Sequence, residues 1–146
     1  MRIGEVLAGK ASQEIITISP QATVRELLVK LAEHNIGAVI VSGDDGATLE
    51  GIVSERDVVR RLHEDEQLLD APVSTIMTSD VHACERSHPV VELMHMMTER
   101  RIRHVPVLDE GTLVGIVSIG DVVKSRMSEL EFERDQLDSY VHTSQS

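Results

Sequence analysis

The chain has 146 residues, 41% of them apolar and 27% charged, with a formal charge of −11. A chain of this size buries roughly 68–70% of its unfolded surface, so one domain or two small halves can fold without disulfides or metal. The acidic balance argues against broad nucleic-acid or anionic-membrane binding, no apolar stretch reaches the roughly 20 residues of a membrane helix, and the single cysteine, Cys84, permits no internal disulfide and suits a reducing cytoplasm.

The opening MRIGEVLAGKAS has no apolar core that would make it a signal peptide. Gly4, Gly9 and Lys10 nearly spell a phosphate-binding loop, but Ala11 stands where Ser or Thr would hold magnesium and no strand can precede it. Ser12 onward reads as strand, with an extended segment over Glu14–Ile18. A helix is predicted from Thr23 to His34, with Val24, Leu27, Leu28 and Leu31 on one face and Thr23 as its cap. The run AVIV (38–41) turns through GDDG to LEGIV (49–53), and a helix follows from Ser54 to about His63. A charged joint, Glu64–Met77, ends in APVSTIM, a short helical turn entered at Pro72.

The order then recurs. An extended segment covers Asp80–Cys84. A helix runs from Pro89 to Arg101 with Val90, Leu93, Met94 and Met97 on one face, Pro89 suiting its first turn. VPVL (105–108) turns through DEG to LVGIV (113–117), and a last helix starts at Ser118. In the tail, Met127, Leu130, Leu137 and Val141 fall at heptad a/d spacing, with Arg134 at the intervening a position. This reads equally as a helix packing on its own domain or as a seam for a second chain.

The recurrence is an internal repeat. GIVSERDVV (51–59) and GIVSIGDVV (115–123) match at seven of nine positions, and Val24, Leu27 and Ile36 correspond to Val90, Leu93 and Ile102. The offset changes by two residues inside the hairpin loop, where length changes are easily absorbed. The fold class is therefore α/β: tandem β-α-β-β-α repeats related by a pseudo-two-fold, with a C-terminal helical extension. Residues 1–67 form the first repeat, 68–127 the second and 128–146 the tail.

Doubled β-α-β-β-α units ending in GIVSERD and GIVSIGD, with VSTIMT and RHVPV in the second copy, resemble the CBS-domain family, named for cystathionine β-synthase. The resemblance covers about residues 3–127 and implies a stand-alone pair, or Bateman module, that is a regulatory sensor and not an enzyme. No Ser-His-Asp order, carboxylate pair or Cys-His dyad stands out to suggest catalysis.

The signature has two chemical readings. Ser54 with Asp57, and Ser118 with Asp121, open helices directly after strands and suit capping boxes. The same atoms suit a nucleotide: helix N-terminal amides and a serine hydroxyl for phosphate, a carboxylate for the ribose hydroxyls. The family resemblance assigns those roles, phosphate to Ser54 and Ser118, ribose to Asp57 and Asp121, one pair per cleft. It places adenine against the backbone of Gly37, Ala38 and Val39, or of Arg103, His104, Val105 and Pro106. Thr17 and Ile18, or Val81, His82 and Ala83, lie opposite. Backbone recognition suits a chain with no Trp, one Phe and one Tyr, which lacks stacking platforms. The implied ligands are AMP, ADP, ATP or the adenosine half of NAD(H), and the implied assembly is a homodimer read by an unknown regulated protein. Val105-Pro106 makes the second cleft the stronger candidate, while Gly37-Ala38 leaves space for a ring in the first.

An acidic chain that binds phosphate needs local cations. Arg100, Arg101, Arg103 and His104 offer a patch, although cations also suit a helix C-terminus for its own sake. Arg56, inside the first signature, is not explained that way; the second copy has Gly120 there. His82, Cys84, His88 and His95 form a loose group that matches no standard zinc spacing; a metal or redox sensor is the alternative they raise, against a buried cysteine with exposed histidines. Met94, Met96 and Met97 read as helix and core filler. A module with empty clefts that binds a partner is the other alternative.

Overall fold

The computed structural model describes residues 1–10 and 14–145, the side chains of 143–145 excepted. The expected strand start at Ser12 and the Ala11 position lie outside the described residues. The first repeat runs β1 (Thr17–Ile18), α2 (Val24–His34), β2 (Ala38–Val41), β3 (Gly51–Ser54) and α3 (Glu55–Leu62); the second runs β4 (Cys84–Glu85), α4 (Val90–Arg100), β5 (His104–Asp109), β6 (Thr112–Ser118) and α5 (Ile119–Gln145). Each repeat makes a three-stranded sheet in which the first strand pairs parallel to the second and the second antiparallel to the third. The α/β tandem-repeat fold read from the sequence is therefore present.

Local chemistry sets the element ends. Thr23 caps α2 in a full capping box with Glu26, and Asn35 ends it in the left-handed conformation. Pro89 is not the first helical residue of α4 as the sequence suggested; it occupies the cap position, with extended backbone at φ −65° and ψ 141°. Arg101 closes α4 as Asn35 closes α2, at φ 54°. The expected strand over Asp80–Cys84 is displaced: β4 holds only Cys84 and Glu85, because its pairing register is Cys84 to Val107 and Glu85 to Leu108. Through that register Cys84 is the counterpart of Ile18, which pairs with Val41, the equivalent of Val107. Val81, His82 and Ala83 thus precede the strand; Ala83 still answers to Thr17, whereas Val81 and His82 answer to neither Thr17 nor Ile18.

A helix that the sequence reading did not anticipate, α1 (Ile3–Ala8), spans the near phosphate loop and rules that loop out. Its residues Ile3, Val6 and Leu7 are buried in the core of the second repeat, among Val90, Leu93, Met97 and Val117. The 3₁₀ turns of the joint, Leu68–Asp70 and Val73–Thr75, bury Leu68, Val73 and Ile76 in the core of the first repeat, among Val24, Leu27, Leu31 and Val53. Each repeat is thus completed by the segment that leads into the other in chain order. The backbone shows the same reciprocity. Ile3 donates to the carbonyl of His88 and Val90 to that of Met1, both before α4; Val73 donates to the carbonyl of Ala22 and Val24 to that of Ala71, both before α2. One unit of about 60 residues buries little surface alone, and this exchange joins the two cores.

The last helix continues from the signature serine through the tail without a break. Val122 is fully buried, whereas every described side chain from Leu130 to His142 is exposed. The tail does not pack back on its own domain.

Candidate functional site

Both signatures end a strand and open a helix. In the first, the Ser54 amide donates to Asp57 Oδ2 at 2.8 Å and the Asp57 amide to Ser54 Oγ at 3.4 Å. In the second, the Ser118 amide donates to Asp121 Oδ2 at 2.9 Å and the Asp121 amide to Ser118 Oγ at 3.1 Å. Both are reciprocal capping boxes, so the structural reading of these residues holds in full.

The two boxes differ in what surrounds them. A cleft of about 810 Å³, within the usual ligand range of roughly 300–1,000 Å³, is lined by Ser118 and Asp121, by His104 and Ile116 of the second sheet, and by Gly37 and Ala38 of the first. Gly37 and Ala38, expected to serve the other cleft, therefore face Ser118 and Asp121. The end of α2 contributes His34, Asn35 and Ile36, and the segment before β1 contributes Glu14 and Ile16. A β-carbon at Gly37 would lie 3.5 Å from His104 Cε1, so the glycine keeps the gap between the two sheets open there.

His104 stands directly across the ladder from Ser118, as Ala38 does from Ser54. That position is a methyl group in one repeat and an imidazole in the other. Burial lowers the His104 pKa, only partly offset by the carboxylates of Asp121 and Glu55. The ring is neutral at pH 7 and presents one donor and one acceptor nitrogen.

The cations of the cleft are not the expected arginines. Two of the chain's three lysines, Lys10 and Lys124, line it. Lys10 Nζ lies 3.0 Å from Asp121 Oδ2 and donates to the Ile116 carbonyl at 2.8 Å. Burial favours a raised Asp121 pKa, but the Ser118 amide and the Lys10 ammonium outweigh it and hold the carboxyl below its ordinary range. Arg103 and Arg56 are exposed and outside this cleft. Arg103 contributes through its backbone, its carbonyl accepting from the Ile119 amide at 2.8 Å as Gly37 accepts from Glu55. Arg101 caps α4, and Arg100 lies 2.9 Å from His82. Of the expected patch only His104 reaches the cleft.

The remaining candidates fall elsewhere. Val39, Val105 and Pro106 are buried; Val39 and Val105 belong to the two hydrophobic cores. Thr17, Ile18, Val81, His82, Ala83, Ser54 and Asp57 do not line this cleft. Cys84 is buried in the second core, where burial pushes its thiol up to about 11. His88 and His95 are exposed, and among the described residues no three His, Cys, Asp or Glu side chains converge as metal ligands.

Sequence reasoning missed Lys10, Glu14, Lys124, Ser125 and Ser128. The α5 residues were accessible in principle, since Asp121, Lys124, Ser125 and Ser128 repeat at helical spacing on one face. Lys10 was not, because its partner Asp121 is 111 residues away.

Comparison with known proteins bears on the family and the fold. The family model described as the CBS domain matches residues 3–64 and 73–128. The structure of a CBS-domain containing protein from Agrobacterium tumefaciens is 38% identical, with a TM-score of 0.81 over 86% of this chain and 99% of that one. A CBS domain protein from Pyrobaculum aerophilum, solved in complex with AMP, is 31% identical with a TM-score of 0.72 over 83% of this chain and 89% of that one. The CBS domain pair of protein MJ0100, in complex with 5′-methylthioadenosine and S-adenosyl-L-methionine, is 25% identical with a TM-score of 0.76 over 88% of this chain and 98% of that one. With both repeats matched and the tandem architecture shared, the chain belongs to the CBS domain family.

Proposed function

We propose that this protein is a non-enzymatic regulatory sensor that binds an adenosine-containing ligand in the cleft between Gly37-Ala38 and Ser118–Asp121. One observation carries the reading: a carboxylate suited to a ribose, a capping serine and the start of the opposite sheet's central strand open on the same 810 Å³ space. In the AMP reading, the ribose hydroxyls donate to Asp121, the phosphate lies near the Ser118 hydroxyl and the amino end of α5, and the base lies between Gly37-Ala38 and His104. Related CBS proteins solved with AMP or with 5′-methylthioadenosine and S-adenosyl-L-methionine support the adenosine class. ADP, ATP and NAD(H) share the same adenosine half. Occupancy would change how the repeats of paired chains sit, and a regulated protein would read that change.

Thermal unfolding with each of AMP, ADP, ATP, NAD⁺, NADH and 5′-methylthioadenosine tests this on the wild type, Asp57→Ala and Asp121→Ala. A ligand at 100 times its Kd stabilises the fold by about 2.7 kcal/mol. The expected result is a shift from at least one ligand that is abolished by Asp121→Ala. No shift from any of them, in a folded sample, would favour a partner-binding module with empty clefts.

A further inference from the structure

Past Glu129, α5 leaves the body of the protein with its apolar side chains uncovered, Leu130 47% and Leu137 65% exposed. A seam through Met127, Leu130, Arg134 and Leu137 runs along one side of the helix at a/d spacing. Glu131 and Asp138 border it on one flank. Glu133 borders it on the other, beside Tyr140, the chain's single tyrosine, which is 72% exposed. These charges are not neutralised within the chain. Among the described residues Glu129 pairs with Arg126 and the Met1 amine, and Asp135 with Arg134, whereas Glu131, Glu133 and Asp138 meet no cation.

We propose that this seam docks a basic amphipathic helix of a partner protein, one with Lys or Arg on its flanks and a single carboxylate in its apolar row opposite Arg134. Charge chooses the occupant. A second copy is disfavoured whichever way it runs, because residues 130–141 hold four carboxylates against one cation and each chain carries −11. An anionic bilayer has the same wrong sign. A basic helix instead sets its cations against Glu131, Glu133 and Asp138 while its leucines cover Leu130 and Leu137. Arg134 adds selectivity. A partner with an unbroken apolar row would bury an unpaired guanidinium, whereas a carboxylate at the facing position pairs with it. The seam lies on the same unbroken helix as Asp121 and Ser125 of the cleft, but the proposal holds whatever occupies that cleft.

Calorimetric titration of the full chain with three synthetic three-heptad peptides tests the proposal. The first has leucine at a and d, lysine at e and g, and one glutamate at the a position that faces Arg134 in a parallel pair. The second carries glutamate in place of the lysines. The third carries glutamine in place of the seam glutamate. Wild type is compared with Leu130→Asp/Leu137→Asp, whose altered side chains are exposed, and with the chain lacking residues 130–146. The expected result is that the first peptide binds the wild type and the second does not. Its affinity falls by about tenfold or more in the double variant, and the glutamine peptide loses a similar factor. Binding that ignores the flank charge, the seam glutamate or the loss of residues 130–146 overturns the proposal, as does no binding at all. A fall in oligomeric state in the double variant, read by light scattering, assigns the seam to a second copy and overturns it too.

Discussion

Leu7 packs against Gly115 so closely that a β-carbon on the glycine would lie 2.8 Å from Leu7 Cδ2. The equivalent glycine of the first repeat, Gly51, is approached in the same way by the joint: its β-carbon would meet the Thr78 carbonyl oxygen at 2.8 Å and Met77 Sδ at 2.9 Å. The glycine that opens each GIVS motif is thus explained by packing. It is the point where the segment exchanged from the other repeat crosses the sheet.

The two contacts predict unequal costs for the same substitution. Gly115→Ala presses on the end of a leucine side chain and should destabilise by about 1–3 kcal/mol, as overpacking does. Gly51→Ala presses on backbone whose amide and carbonyl both bond to Ile52, at 2.9 and 3.0 Å. It should cost more. Thermal midpoints of the two variants decide the order, and a smaller loss for Gly51→Ala would contradict the crossing argument.

The capping boxes predict a division of labour. Ser54→Ala removes a cap and should cost about 1 kcal/mol of stability without changing any ligand response. Asp121→Ala loses the cap, the ion pair with Lys10 and the ligand together. Because interactions at the folded Asp121 depress its pKa, its contribution is present above its unfolded pKa near 3.8 and is lost as pH falls through the lower folded value. Urea unfolding of the wild type and Asp121→Ala between pH 7 and pH 3 should show their difference in stability constant at neutral pH and shrinking only at the acid end.

His104 titrates with the same sense at a different place. Its folded pKa is lowered by burial, so the unfolded chain takes up the proton first as pH falls below about 6.5. The stability associated with the neutral ring is complete above that value and declines as pH drops toward the folded pKa. His104→Ala, which installs the residue found at the equivalent Ala38, should flatten the stability profile just below pH 6.5. An unchanged slope would place the titrating group elsewhere.

Much of this was legible in the sequence because it was written twice. Two copies of one motif in the same strand-helix context located β3, α3, β6 and the start of α5, and apolar periodicity located α2 and α4. What escaped depends on distant partners. The register of β4 is set by Val107 and Leu108, so a two-residue strand could not be placed from its own residues. Helix α1 has only six residues and is held by a core formed more than 80 residues later. The cleft divided in the same way. Ser118 and Asp121 were visible as a motif, while their opposition to Gly37 and their pairing with Lys10 follow only from the exchange of leading segments.

Cys84 should be chemically quiet in the native protein. Its thiol is buried in the second core and pushed up to about 11, so the reactive thiolate is scarce at neutral pH. Reaction with a thiol-specific disulfide reagent at pH 7.5 should be slow in buffer and fast in denaturant. Rapid native labelling, or a disulfide-linked dimer on mild oxidation, would revive the redox-sensor alternative.

The tail carries the last prediction. Met127, Leu130, Leu137, Tyr140 and Val141 are all exposed, so this stretch of α5 buries little apolar surface on its own chain. A heptad seam through Met127, Leu130, Leu137 and Val141 puts Glu131 and Asp138 at e positions and Glu133 at a g position. In a parallel pair, Glu133 of one helix would face Asp138 of the other, and Arg134 would sit inside the seam. Like charges across the flanks and a buried cation disfavour self-pairing, whereas a basic amphipathic helix would relieve the repulsion along the flanks. Deleting residues 130–146 keeps Glu129, which pairs with Arg126 and the Met1 amine. The truncated chain should therefore retain the oligomeric state and, within about 0.5 kcal/mol, the stability of the full chain. Light scattering and thermal unfolding check both, and a dimer that falls to monomers on deletion would show that the tail pairs with itself despite its charge.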